Sequence, residues 1–225
     1  MQINIKPIFA SPIVTVVHPD SSNLNAALKQ LINEKVENNQ TNSTPAPTLR
    51  VNIFDSEMDL FEWPDECVQT LKSFTFNVLK NIVCKLNNYS PSVLDKYSIR
   101  NDAWFHVTSD SGYISSHVHS MASWSGVYYI DDGQPDSDRP DNGVIRFLDT
   151  RPGANMFLDK GNFNIQQPFN SGSFNIVPMP GLLVLFPSYL AHEVTPFFGK
   201  GKRVCIAFNS WFVDKETGDN IVGGK

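Results

Sequence analysis

Near Tyr97 the apolar residues change period, and this switch limits the folds open to the chain more than any other feature. Before it, apolar side chains recur at helical spacing in two stretches; after it, short apolar runs alternate with turn residues. The runs lie near 97–108, 113–119, 124–131, 143–149, 172–178, 182–186, 191–196 and 203–212. Apolar runs bounded by turn signals are strands, and eight at this spacing predict a sandwich or jelly roll. A chain of 225 residues suffices for one large domain with a real core. Residues 1–96 are expected to be supporting elements, 97–213 the β core and 214–225 a tail.

The supporting part divides further. Strands broken by Pro7 and Pro12 are expected across Ile3–Val17. A helix capped by Ser22 or Asn23 follows, with Leu24, Leu28, Leu31, Ile32 and Val36 on its apolar face. Residues 38–47, NNQTNSTPAP, offer nothing to bury and predict a flexible loop. After an extended piece at Leu49–Phe54, Pro64 opens a longer helix with the stripe Val68, Leu71, Phe74, Val78, Ile82 and Leu86. Its role is to back a sheet.

Composition narrows the function. The net charge of −5 comes without a cluster of Lys and Arg, so nucleic acid is not an expected partner. Cys67, Cys84 and Cys205 are odd in number and far apart in apolar surroundings, which predicts reduced thiols rather than disulfides. No apolar run reaches the ~18 residues of a membrane span, and the N-terminus is a poor secretory leader. A soluble, cytoplasmic protein is expected, with a homodimer one arrangement left open.

The chemistry concentrates in three histidines. His117 and His119 are two residues apart on a predicted strand, where alternation puts both rings on one face. His192 follows a distant apolar run, and Arg203 comes eleven residues after it. Three imidazoles suit iron, zinc, copper or nickel better than magnesium or calcium. A pair of strand histidines is also common in ordinary cores and surfaces.

The wider pattern decides between these readings by resemblance. His117-Val118-His119, then Val127-Tyr128-Tyr129-Ile130, then Asn142-Gly143-Val144-Ile145-Arg146-Phe147, then His192-Glu193-Val194-Thr195-Pro196 and Arg203 resemble the prolyl-4-hydroxylase-like branch of the Fe(II)- and 2-oxoglutarate-dependent dioxygenases. SGVYYI and LFPSYLAHEV are similar to a group of 2OG-Fe(II) oxygenases common in marine bacteria and phages, which also carries HxH. The resemblance covers about Trp104 to Phe212. It implies a mostly β fold, a double-stranded β-helix (jelly roll, cupin-like) backed by N-terminal helices. It also implies Fe(II) on His117, His119 and His192, with 2-oxoglutarate held by Arg203 and Tyr129 and Tyr128 pointing outward. The implied reaction is hydroxylation of a peptide or small-molecule C–H bond, with succinate and CO2 as co-products.

His119 stands where most relatives place Asp. It either ligates as a third imidazole, or turns away and leaves an open position, or gives way to a carboxylate from Asp131 or Asp132; Glu193 should face the opposite side from His192. Two other functions stay open at this stage: a three-histidine cupin-like dioxygenase without 2-oxoglutarate, and a non-catalytic jelly-roll binding protein. Asn209 alternates onto the inward face, either as a contact to a ligand or as a satisfied core residue. His18 and His106 read as structural or surface residues, and Trp124 and Trp211 have no assigned role. The long connection 150–171, with Asn155, Asn162, Asn164 and Gln166, is expected to act as a lid.

Overall fold

In the structure, a computed structural model that describes residues 1–38, 48–154 and 156–218, the described strands form one antiparallel sheet that curls on itself. They are β1 (Val14–Val17), β2 (Arg50–Asp55), β3 (Tyr97–His117), β4 (Trp124–Asp131), β5 (Ile145–Leu148), β6 (Ser173–Ile176), β7 (Leu182–Pro187), β8 (His192–Val194) and β9 (Arg203–Asp214). The order across the sheet is β1-β7-β4-β9-β3-β8-β5-β6, with β2 on β3. This is the expected double-stranded β-helix.

The sequence suggests two strands over 97–119, but β3 runs unbroken and belongs to both halves of the curl. Its first part, Tyr97–Thr108, pairs with β9, while Ile114 and His117 pair with β8. Between them the chain turns through Ser111 at φ 62° and Gly112, where an added Cβ would meet backbone oxygens of Ser109 and Asn52 within 3 Å. Strong turn chemistry inside a strand bends the strand here; it does not end it. The strand stops at His117, so His119 lies just beyond it, tied by its backbone N–H to the Ser188 carbonyl (3.0 Å).

Alternation sorts the side chains into two cores. Tyr128, Ile130, Leu183, Leu185, Ile206 and Phe208 face the helices, while Val127, Tyr129, Val184, Phe186 and Cys205, one residue out of step, face the inside of the curl. Helices α1 (Ser21–Glu37) and α2 (Glu66–Asn87) cover the first set, and a short α3 (Pro91–Leu94) leads into β3. Leu24, Leu28 and Ile32 of α1 are buried, each contributing about 1.5–3 kcal/mol of apolar burial. The α1 N-cap is Asp20, with Asn23 bonded to it, rather than Ser22 or Asn23 itself.

Three other expectations change. The second helix starts at Glu66, with Asp65 as N-cap and Pro64 preceding it. Its deepest row is Val68, Leu71, Thr75, Leu79 and Val83; Phe74, Val78 and Ile82 flank it and Leu86 is exposed. The helix rolls slightly because a row at i, i+4 spacing drifts around the axis relative to the sheet. Of Ile3–Val17 only Val14–Val17 is strand, paired with β7; Ile3 and Ile5 are exposed and lie outside the strands. The loop expected at 38–47 lies, apart from Asn38, outside the described residues.

Candidate metal centre and cosubstrate pocket

The register of β3, β8 and β5 sets His117, His192 and Phe147 side by side on the inner face. Each of the first two rings is fixed by a local bond. His117 Nδ1–H donates to the Ser115 carbonyl (2.8 Å), and His192 Nδ1–H to the Leu190 carbonyl (2.9 Å). Both bonds reach back two residues and leave Nε2 as a bare lone pair, the form in which imidazole binds a metal. His119 stacks on His192 with centroids 5.1 Å apart, and the two Nε2 atoms are 3.3 Å apart.

Ligand nitrogens of all three histidines lie within 4.8 Å of one another. Metal–nitrogen bonds of about 2.1 Å, at octahedral to tetrahedral angles, put two donors on one ion about 3.0–3.4 Å apart. The His119–His192 separation falls in that interval, so the donor set fits a transition metal. Burial, reinforced by the neighbouring rings, pushes His119 down to about 3; burial and His117 push His192 down to about 4; burial lowers His117 as well. All three are neutral near pH 7, ready to ligate without releasing protons.

Arg203 sits deeper in the same cavity, almost fully buried at 3% exposure. One Nη donates to the Gly143 carbonyl and the other lies 3.5 Å from Thr108 Oγ1, while Nε has no partner among the described residues. Gly143 at φ 61° turns its carbonyl to the guanidinium, and a Cβ there would lie 3.0 Å from Nη1. No carboxylate forms an ion pair with Arg203 among the described residues, and a buried unpaired cation calls for an anion. Tyr129 lines the same cavity beside Cys205. Burial raises both hydroxyl and thiol, Cys205 to about 11, so Tyr129 is a neutral donor and Cys205 a neutral thiol.

The alternative carboxylates are elsewhere. Asp131 binds Lys29 and the Gly133 amide, Asp132 caps the Gln134 amide, and Glu193 faces outward to Arg146 (3.0 Å). Tyr128 points to α1, its hydroxyl bonded to Asn25 at 2.7 Å. Asn209 is held by Ser125 (2.8 Å) and does not line the cavity. His18 packs edge-on against Phe74, Trp124 packs on the helix-side core, and Trp211 binds the Met121 carbonyl.

One group of residues escaped the sequence reading. Trp104, His106 and Thr108 alternate along the inner face of β3, and His106 is a buried cavity residue rather than a surface one. Trp104 Nε1–H donates to His106 Nε2 (2.9 Å), so the ring proton sits on Nδ1 and goes to Asp55; Arg50 holds the other Asp55 oxygen. Burial would raise the Asp55 carboxyl, but its bonds to His106 and Arg50 hold it below the usual range. Trp104 in turn lies 6.2 Å from the His119 ring. The signal available was alternation from Trp104 to Thr108 opposite Arg203; the partners on β2 depend on strand register.

Residues 102–209 match the model of the family described as "Putative 2OG-Fe(II) oxygenase". That stretch of the chain is similar to the 2OG-Fe(II) oxygenases. No curated protein matches this chain. Among solved structures it is similar to a Pseudomonas putida prolyl-4-hydroxylase (TM-score 0.58, 16% identity, 90% of this chain and 92% of that one). It is also similar to a Trichoplax adhaerens prolyl hydroxylase in complex with a hypoxia inducible factor peptide (TM-score 0.60, 17% identity, 91% and 84%). A third is HygX of Streptomyces hygroscopicus, with nickel and 2-oxoglutarate bound (TM-score 0.52, 13% identity, 96% and 91%). At these identities the likeness speaks to the fold of the chain. No helix among its described residues is long and apolar enough to cross a membrane.

Proposed function

We propose that the protein hydroxylates a C–H bond of a peptide or small-molecule substrate, with His117, His119 and His192 holding Fe(II) and Arg203 and Tyr129 holding 2-oxoglutarate. The observation that carries this reading is the pairing, in one cavity, of three convergent neutral imidazoles with a buried guanidinium that lacks an acid. A three-histidine dioxygenase without 2-oxoglutarate would have no use for that guanidinium. When bound, iron and 2-oxoglutarate supply the oxidising chemistry, converting O2 and the cosubstrate to succinate, CO2 and a hydroxylated product.

The protein's own residues orient and exclude. Ser115 and Leu190 carbonyls fix two of the rings, so each lone pair is aimed before the metal arrives. Arg203 receives the distal carboxylate through a planar fork, and the neutral Tyr129 hydroxyl adds a second donor. Phe147 and Phe186 pack on His192, with centroids 5.7 and 4.7 Å away, and keep water from that side.

The test is spectroscopic. Protein, ferrous iron and 2-oxoglutarate mixed under argon should develop a visible charge-transfer band, because the band arises only when the cosubstrate chelates iron. Its absence in wild type, with iron bound, would remove 2-oxoglutarate from the proposal.

A further inference from the structure

The cavity carries more positive charge than its proposed occupants neutralise. Its lining contains two guanidiniums, Arg203 and Arg50, and no aspartate or glutamate. Asp55, just outside the lining, binds both Arg50 and the neutral His106 and so balances one arginine. Three neutral imidazoles add nothing, and the charges of Fe(II) and 2-oxoglutarate cancel. One positive charge is left over in a buried pocket, where an uncompensated ion is costly. A carboxylate in place of His119 would bring the sum to zero, so the surplus follows from the HxH sequence itself.

Arg50 is placed to use that surplus. Strand register sets it beside Ile114, Val194 and Ile145, in the row adjoining His117, His192 and Phe147. Only part of its guanidinium is committed. Nη1 goes to Asp55, while Nε is buried and without a partner among the described residues. Arg203 is the deeper of the two cations, and Arg50, with 17% of its side chain exposed, is the one nearer solvent. A cosubstrate that binds first takes the deep cation; a second anion entering later meets the outer one.

We propose that the primary substrate carries a carboxylate and that Arg50 receives it through the free side of its guanidinium, a specificity contact that rests on the hydroxylase reading above. Arg50 is a binding residue in this scheme; His106 and Trp104 are positioning residues that keep Asp55 from occupying both of its edges.

Trifluoroacetate is a suitable probe, a minimal carboxylate with a fluorine reporter. The full chain is loaded with Mn(II), whose paramagnetism broadens nearby fluorine signals, and saturated with 2-oxoglutarate under argon. Saturable broadening is expected, reversed by excess acetate and not by further 2-oxoglutarate. Arg50→Met should weaken the probe about tenfold or more, the scale of one lost charge-assisted bond, with 2-oxoglutarate affinity unchanged; Arg50→Lys should be intermediate. Broadening that never saturates, or that is the same in wild type and Arg50→Met, overturns the proposal. Should the Met variant lose its far-UV circular dichroism, wild type alone decides: trifluoroethanol, the uncharged analogue, binding as well as trifluoroacetate would also overturn it. The cosubstrate assignment is read separately, from 2-oxoglutarate binding to Arg203→Met, so one reading can fail without the other.

Discussion

His119 is the residue at which the chain departs from the carboxylate-bearing pattern, and among the described residues its Nδ1, unlike those of His117 and His192, has no carbonyl partner. His119→Ala should weaken metal binding about tenfold or more by removing a donor, while His119→Asp should restore much of it through an oxygen ligand. Anaerobic calorimetric titrations check this, and unchanged affinity in both variants would show that His117 and His192 suffice. Arg203→Met should cost about 3–5 kcal/mol in 2-oxoglutarate binding, the penalty for a buried carboxylate left without its cation, with metal affinity nearly intact. Titrating 2-oxoglutarate into iron-loaded wild type and variant gives the comparison. These residues were legible in the sequence chiefly through the family resemblance: spacing by itself paired His117 with His119 and set Arg203 eleven residues after His192, which left a metal site and an ordinary pair of strand histidines both open. Arg50 and Asp55 were not, since nothing local says that β2 bends with β3 and brings both to the same wall.

At the level of elements, α1 meets the sheet through its apolar face and through one buried polar side chain, Asn25. Asn25 accepts from Tyr128 and donates to the Ile130 carbonyl (3.0 Å), so its loss strands two buried polar groups. Asn25→Ala should destabilise the fold by about 2–4 kcal/mol, read from urea unfolding, and more than Tyr128→Phe does. The connection between β5 and β6 behaves differently from its sequence reading. Asn162 and Gln166 bond to backbone within the loop, and Asn155 lies outside the described residues; what faces solvent is Met156, Phe157 and Leu158. Its neck is pinned by Arg151, paired with Asp149 and bonded to the Asn170 carbonyl. Protease cleavage within 150–171 should slow once metal, 2-oxoglutarate and a turnover substrate are bound, since exposed apolar side chains gain most by closing over a ligand. Equal rates with and without them would exclude a lid. The two long helices and the places of most strands were readable from periodicity. Helix rotation and the continuity of β3 were not, because each depends on what the element packs against.

For the molecule as a whole, three imidazoles held below their usual 6.5 make the metal-free fold sensitive to acid. Between pH 6.5 and about 4 the unfolded chain takes up protons that the folded chain refuses, so stability falls as pH falls through that window. The slope is at most about 1.4 kcal/mol per pH unit for each ring. Thermal melts of metal-free protein at several pH values should show this decline, with a shallower one in His119→Gln. A pH-independent melt between 7 and about 4.5 would contradict it. The sharing of β3 between both halves of the curl also fixes when the site can exist. His192 follows His119 by 73 residues, and Arg203 opens the strand that joins β4 to β3. Pairings so distant in sequence close late and slowly. A ribosome will therefore have made most of the chain before the three histidines and Arg203 can meet in one pocket.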